Sequence, residues 1–557
     1  MAWKRSVLLR TVAVLAGPAS FAGGLTPQAA QAGLVDSWQT VVDNAMIAPT
    51  STPQSATPYY FSYNQPSVNN LGEVAFRARA KPLSGGGGGS GGGGGTTQGV
   101  YTRDMSQPGS AIQVLADNKG TVVPGPNTTG ATFIEFPSSP RIDATSGMVA
   151  TRGQSQPVYT LPDGTKVGTS GVYVTPSGGP LVTGASLLGD AGFTQFQVPN
   201  APAGTGFDQF PGAPSATDGS VVAFKGNYTV AGAGLTGVFF RDAAAAGGSA
   251  PVTAIAQAGD LIPNGGGATF GATATPSAAQ GKVVFTGWNN ETAPTVGGIY
   301  EASLTAHPTI TPLVGIGSAV PGVPGASFTN FGESISFTGT KLGFWGTWGS
   351  ETKTVHMNCP TDGNAGVVAY CLSLYPNGTD LVEPVHQGIF SLDATTGQLD
   401  MIAQTGQDGF TDFMSWNFSG AVPGTTTDAE PARWRSSSFV AEAGGNVSFL
   451  GEKSTVDGLY FTYGAGAPVE TLLDTTYSGQ SVDPLAPVGS LVSSIGLERD
   501  GYRGGLLAIT VGMLNPVTTD SWSGIYLAYV DEPSALLLLG GLLPVIALMP
   551  NRRRQRV

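Results

Sequence analysis

Charge is what this chain has least of. Asp, Glu, Lys and Arg together make up 11% of its 557 residues, against about 25% in an ordinary soluble domain. The balance is also acidic: the formal net charge is −12. Setting aside the head (Lys4, Arg5, Arg10) and the tail from 531, which carries a net +2, leaves the middle at −17. Nucleic acid demands a basic face, so no nucleic-acid partner is expected.

Histidine is almost as scarce, with only His307, His356 and His386. A Ser-His-Asp triad therefore has few places to form. The chain has no GxSxG elbow, no HExxH and no phosphate-cradling loop ending in Lys. Asp and Glu scattered through the loops leave paired-carboxylate glycoside chemistry as the enzymatic alternative, although no pair stands out. No cofactor and no metal site are expected.

There are two cysteines, Cys359 and Cys371. An even pair on one loop reads most simply as a disulfide in an exported protein. His356 and His386 flank the pair, so a Cys2His2 zinc site is the alternative, but its spacing fits no familiar knuckle. The sequons at Asn127 and Asn377 read as chance in a chain this rich in Asn and Thr.

Glycine, by contrast, is abundant, at 83 residues. With 41% apolar residues the chain is no disordered coil, and the glycines belong to turns between strands. The stretch NNLGEVAF, Asn69 to Phe76, returns in altered form in segments ending at Phe224, Phe285, Phe449 and Ile509. Each copy is followed by Gly, an aliphatic residue and an aromatic one. These tags begin at Gly99, Gly171, Gly237, Gly298, Gly388, Gly458 and Gly524, at intervals of 72, 66, 61, 90, 70 and 66 residues. Such a period marks a repeat architecture.

Within a unit, the Val-Ala-Phe run is apolar on both faces, as in sheets stacked face to face. A strand carrying the tag follows, then a third such as Val252–Gln257, then a short Phe-bearing fourth near Phe270. No helical periodicity of useful length appears. Four strands in about 70 residues, seven times over, predict an all-β, seven-bladed β-propeller. The last unit runs out after Tyr526. WQTVVDNAMIAP (38–49) and YYFSYNQPS (59–67) resemble its missing third and fourth strands, so N-terminal strands are expected to complete the last blade and close the ring.

The propeller is assigned to 33–530, with a poly-Gly loop at 85–95 and an insertion at about 350–387. If the Val-Ala-Phe strand is innermost, residues just past its end surround a channel mouth. Arg79, Asn227, Tyr228, Trp288, Asn289 and Trp348 are the candidates for gripping a glycan there, by ring stacking and rim hydrogen bonds. The competing reading is packing at the rim; Trp345 is expected to pack between blades.

The two ends read as an address. Residues 1–32 combine a basic head, an apolar stretch and Ala30-Gln31-Ala32, as in a signal peptide. In 531–557, Asp531-Glu532-Pro533 precedes the uncharged run 534–549 and the cluster Arg552, Arg553, Arg554 and Arg556. A run this short, broken by Pro544 and locked by positive charge, suits transient membrane contact.

This tail resembles the PEP-CTERM sorting signal of bacteria that make exopolysaccharide, with Asp531 where the signal has its first Pro. The resemblance implies processing by the membrane enzyme exosortase. The octamer is also similar to the NxxGxxAF repeat class of exported proteins, which implies a surface or matrix protein and brings no assigned activity. The expected function is thus a non-enzymatic structural or glycan-binding role at the cell surface or in the exopolysaccharide matrix. A secreted polysaccharide-degrading enzyme on the same scaffold is the alternative.

Overall fold

A computed structural model describes residues 34–530 apart from 83–95, 127–128, 157–158, 161–163, 165, 188–195, 362–364 and 424–430. The expected leader (1–32), poly-Gly loop (85–95) and sorting tail (531–557) all lie outside the described residues. Among those described, one α-helix, Ala365–Leu374, accompanies seven antiparallel sheets of four or five strands, with three two-stranded ribbons beside them. The seven larger sheets form the blades of a propeller.

Blade 1 shows the plan. Its strands run outward as a split inner strand (Pro58–Tyr63 and Ser67–Val68), then Glu73–Pro82, Thr97–Asp104 and Gln113–Asp117. The second halves of the inner strands are Ser67–Val68, Arg141–Ile142, Ser215–Thr217, Ser277–Ala279, Ser336–Phe337, Val440–Ala443 and Tyr502–Arg503. Each neighbours the next, and the last neighbours the first. The ring is closed.

This geometry corrects one expectation: the Val-Ala-Phe strand is second from the axis, and the segment before it is innermost. In the first four blades proline stands at the break. Pro66, Pro140, Pro214 and Pro276 stand immediately before the short axial strands of blades 1 to 4. A residue without an N–H interrupts the ladder there and lets the upper half splay toward the neighbouring blade.

The repeat motif also acquires a physical meaning. Asn69 turns the chain from inner to second strand, its Oδ1 accepting the amides of Leu71 (3.0 Å) and Glu73 (2.9 Å). Gly72 occupies a positive φ of 88° that an L side chain rarely adopts. In the tag, the aromatic ring folds back over the glycine two residues earlier. A Cβ on Gly99 would lie 2.6 Å from the Tyr101 ring, so nothing larger fits. That ring meets Tyr60 edge-on at 5.4 Å and stacks on Phe76 at 5.6 Å. Blade 5 repeats the set with Phe390, Phe328 (4.9 Å) and Phe344 (5.5 Å). Such pairs add roughly 0.5–1.5 kcal/mol each beyond their buried area.

The N-terminus closes the ring, as expected, but with one strand. Gln39–Asp43 pairs antiparallel with Ser521–Tyr529 as the outermost strand of blade 7. The second N-terminal stretch, Pro58–Tyr63, belongs instead to blade 1, where it pairs with Glu73–Pro82. Trp345 packs between blades 5 and 6 against Phe413 and Val440.

Two insertions project together. In blade 5, Thr352–Met357 pairs with Thr379–Pro384 and the helix lies between them. In blade 6, Ser415–Ser419 pairs with Arg433–Ser437, a hairpin the sequence pattern did not reveal. Cys359, Cys371, Phe418 and Trp434 pack the two insertions onto each other. The cysteines are disulfide-bonded with a Cα–Cα distance of 5.8 Å, which disposes of the zinc alternative for this pair.

Candidate functional site: the axial pocket

The residues expected at a channel mouth stand at the far ends of the second strands, and their aromatic rings are covered. Tyr228 is 3% exposed, and its hydroxyl accepts a hydrogen bond from Gln257 Nε2 (3.1 Å). Trp288 is 5% exposed, with Nε1 donating to Asn330 Oδ1 at 3.1 Å. Trp348, also 5% exposed, stacks on His386 at 6.0 Å. Asn289 Oδ1 caps the amides of Thr295 and Val296 at 3.0 Å. Asn227 Nδ2 reaches Gln209 Oε1 at 3.4 Å, and Arg79 reaches Glu135 Oε1 at 3.5 Å. The rings work as packing between elements, and no stacking face is left open on them.

Nor is the axis an open channel. Asp500 bridges two guanidiniums there: its Oδ2 lies 2.5 Å from Arg141 Nε, and its Oδ1 accepts from Arg503 Nη2. Arg141 also donates to Pro276 O (3.1 Å) and Ser277 Oγ (3.1 Å), Arg503 to Phe337 O (3.1 Å), and Arg499 to Thr275 O (3.3 Å). Burial alone would raise the Asp500 carboxyl, but Arg141 and Arg503 outweigh it and hold it below its ordinary 3.8. The plug thus ties blades 2, 4, 5 and 7 together across the axis.

Below this plug, on the face where inner strands turn into second strands, lies a pocket of about 440 Å³. Every blade contributes one turn to it: Asn70, Thr145, Asp218, Gln280, Thr340, Asn446 and Gly504. Neighbouring turns are latched. Asn69 Nδ2 donates to Ser146 O (3.1 Å), the Gly219 amide to Asp143 Oδ2 (3.1 Å), and the Gly281 amide to Asp218 Oδ2 (2.9 Å). Gln280 Nε2 then donates to Thr338 O (3.1 Å), Thr338 Oγ1 to Glu442 Oε2 (3.0 Å), and Asn446 Nδ2 to the Tyr502 hydroxyl (3.3 Å). The motif's Asn, Asp and Gln positions are therefore rim fasteners, a role legible only once seven turns are seen to converge.

A second polar cluster lies under the blade 5 insertion. Lys353 Nζ is 2.9 Å from Asp412 Oδ2 and 3.4 Å from Glu383 Oε2, and Trp416 Nε1 donates to Glu383 Oε1. Glu383 is fully buried, so this carboxylate pair is a clasp rather than a substrate site. Burial, then Asp412, pushes the Glu383 carboxyl up to about 7. A carboxyl raised on folding adds stability below its ordinary 4.5 and loses it as pH rises through about 7. Amides of Thr352–Pro384 are accordingly expected to exchange faster at about pH 8 than at about pH 5 after correction for intrinsic rates, and E383Q to remove most of that difference. Equal corrected rates at both pH values in the unaltered protein would contradict this account of the clasp.

No family model matches the chain, and no curated protein matches it. Among solved structures, the polysaccharide lyase Uly1 aligns with a TM-score of 0.39 and 10% identity, over 87% of this chain and 92% of that one. The acylaminoacyl peptidase of Pyrococcus horikoshii gives 0.38 and 10%, over 86% and 53%. Prolyl oligopeptidase B of Galerina marginata gives 0.36 and 9%, over 85% and 52%. The chain spans about half the length of these two peptidases. At such scores the likenesses carry no argument about activity.

Proposed function

We propose that the protein is an exported propeller, sorted by exosortase to the cell surface or exopolysaccharide matrix, with a non-enzymatic structural or glycan-binding role there. The observation that carries this reading is the order of the C-terminal end. The propeller is complete at Val530, whose amide is tied to Gly505 O at 2.8 Å, and Asp531-Glu532-Pro533 follows at once. A sorting motif placed directly after a finished ring leaves every blade strand on the N-terminal side of the segment a membrane enzyme would process. The Cys359–Cys371 bond supports an oxidising compartment. The tail's apolar run would hold the chain transiently at the membrane, with Arg552, Arg553 and Arg554 on the cytoplasmic side.

The test is fractionation of the full chain in a host with and without exosortase. The expected result is a shortened, released product only when the enzyme is present, and retention when the three arginines are replaced by alanine. The same fractions in both hosts would remove the sorting argument. Release of reducing sugar from the host's own polysaccharide by the purified protein would point instead to a degrading enzyme.

A further inference from the structure

We propose that the axial pocket is a binding site for an uncharged sugar, as a mono- or disaccharide or as the end of a neutral polysaccharide chain. This deepens the glycan-binding reading above and moves the contact to the opposite face from the strand-end residues. Four features of the pocket support it.

Size comes first. At about 440 Å³ the pocket falls within the roughly 300–1,000 Å³ of small-molecule sites. Arg503 of the arginine plug is part of its lining, and the plug crosses the axis, so the pocket suits a chain end better than a threaded polymer.

The second is its hydrogen-bonding inventory. Sugar hydroxyls both donate and accept, and the pocket presents both kinds of group. Asn70, Gln280 and Asn446 bring amides and Thr340 a hydroxyl, one from each of four blades. The latches between turns already hold the rim in place, so little ordering is left for a ligand to impose.

Third, an aromatic ring stands open at the rim. Tyr529 lines the pocket and is 56% exposed, unlike the buried rings of the strand ends. It lies against Gly505, where a Cβ would come within 3.3 Å of the ring, so a side chain at that turn position would crowd the tyrosine. An exposed aromatic face beside converging polar groups is what the C–H face of a pyranose packs against.

Charge then selects among sugars. Asp143 and Asp218 line the pocket, and the guanidinium of Arg503 on its floor is engaged by Asp500 and by the carbonyls of Glu442 and Phe337. A uronate or sulfated sugar would meet carboxylates with no free cation supplied by these residues. Neutral sugars are favoured.

The experiment is calorimetric titration of the full-length protein with glucose, galactose, N-acetylglucosamine, maltose, cellobiose and glucuronate. At least one neutral sugar is expected to bind, with glucuronate weaker. Tyr529→Ala is expected to weaken binding roughly 3- to 10-fold, and Thr340→Trp, which fills the pocket from an exposed position, to abolish it. Both variants keep every latch and plug residue, and circular dichroism would verify that they fold. No heat with any neutral sugar, equal affinity for glucuronate, or unchanged binding in both variants would overturn the proposal. The readout uses purified protein, so it stands or falls separately from export and sorting.

Discussion

Asp500→Ala is expected to lower the unfolding free energy by about 3–5 kcal/mol, read as a shift of the urea midpoint. The reason is asymmetry. The side chains of Asp500, Arg141 and Arg503 are all nearly buried, and one carboxylate faces two guanidiniums. Removing it strands both cations away from water, whereas a buried pair kept intact contributes little net stability. The loss is a large share of a typical total of about 5–15 kcal/mol. Replacing Arg141 by methionine in the same molecule is expected to restore part of the loss, because one stranded cation disappears with it. The pH dependence has a definite sign. Since the Asp500 carboxyl is held below 3.8, its contribution is present above that value and fades as pH falls through the lower folded one. Additive effects of D500A and R141M would contradict the bridging role.

Val42→Asp is expected to be at least as damaging, with a loss of about 4 kcal/mol or more. Val42 is fully buried on the closing strand and shares a cluster with Tyr60 and Phe76 of blade 1 and Ile525 of blade 7. It therefore seals the seam between the last blade and the first. A carboxylate there would be desolvated and would sit near Asp43, whose own carboxyl is already raised, chiefly by burial. Limited proteolysis should cut the variant first near residues 34–57, because a released closing strand leaves that segment unpaired. A variant as stable as the parent would mean that the seam is not where the ring is held.

Much of this architecture is legible in the residues themselves, and for physical reasons. The tag repeats because a ring folded over a glycine is a local device, written within three residues. The closing strand was readable because 38–49 resembles the third strand of other units, and the disulfide because there was one pair. What escaped sequence reasoning depends on distant neighbours. Arg141 and Asp500 meet across 359 residues, and neither segment announces the other. The inner strand was misplaced because it is broken into fragments too short to show alternation, although Pro-Ser before the turn in blades 1, 3 and 4 was a usable signal. Trp288 and Trp348 look the same at a strand end whether they face solvent or the next element, and here they face protein. The pocket was illegible for the same reason: each blade lends it between one and five residues.

The account rests on seven blades closed at one seam, and a cysteine pair tests that seam most directly. Gln39 and Leu527 are opposite one another in the pairing of the closing strand. At such a position Cα atoms lie within the roughly 4.4–6.8 Å that a disulfide spans. Peptide mapping of oxidised, full-length protein carrying Gln39→Cys and Leu527→Cys is predicted to recover a 39–527 link beside the native 359–371 link. Recovery of the native link alone, from protein that is folded, would contradict the closure and with it the position of every turn around the axial pocket.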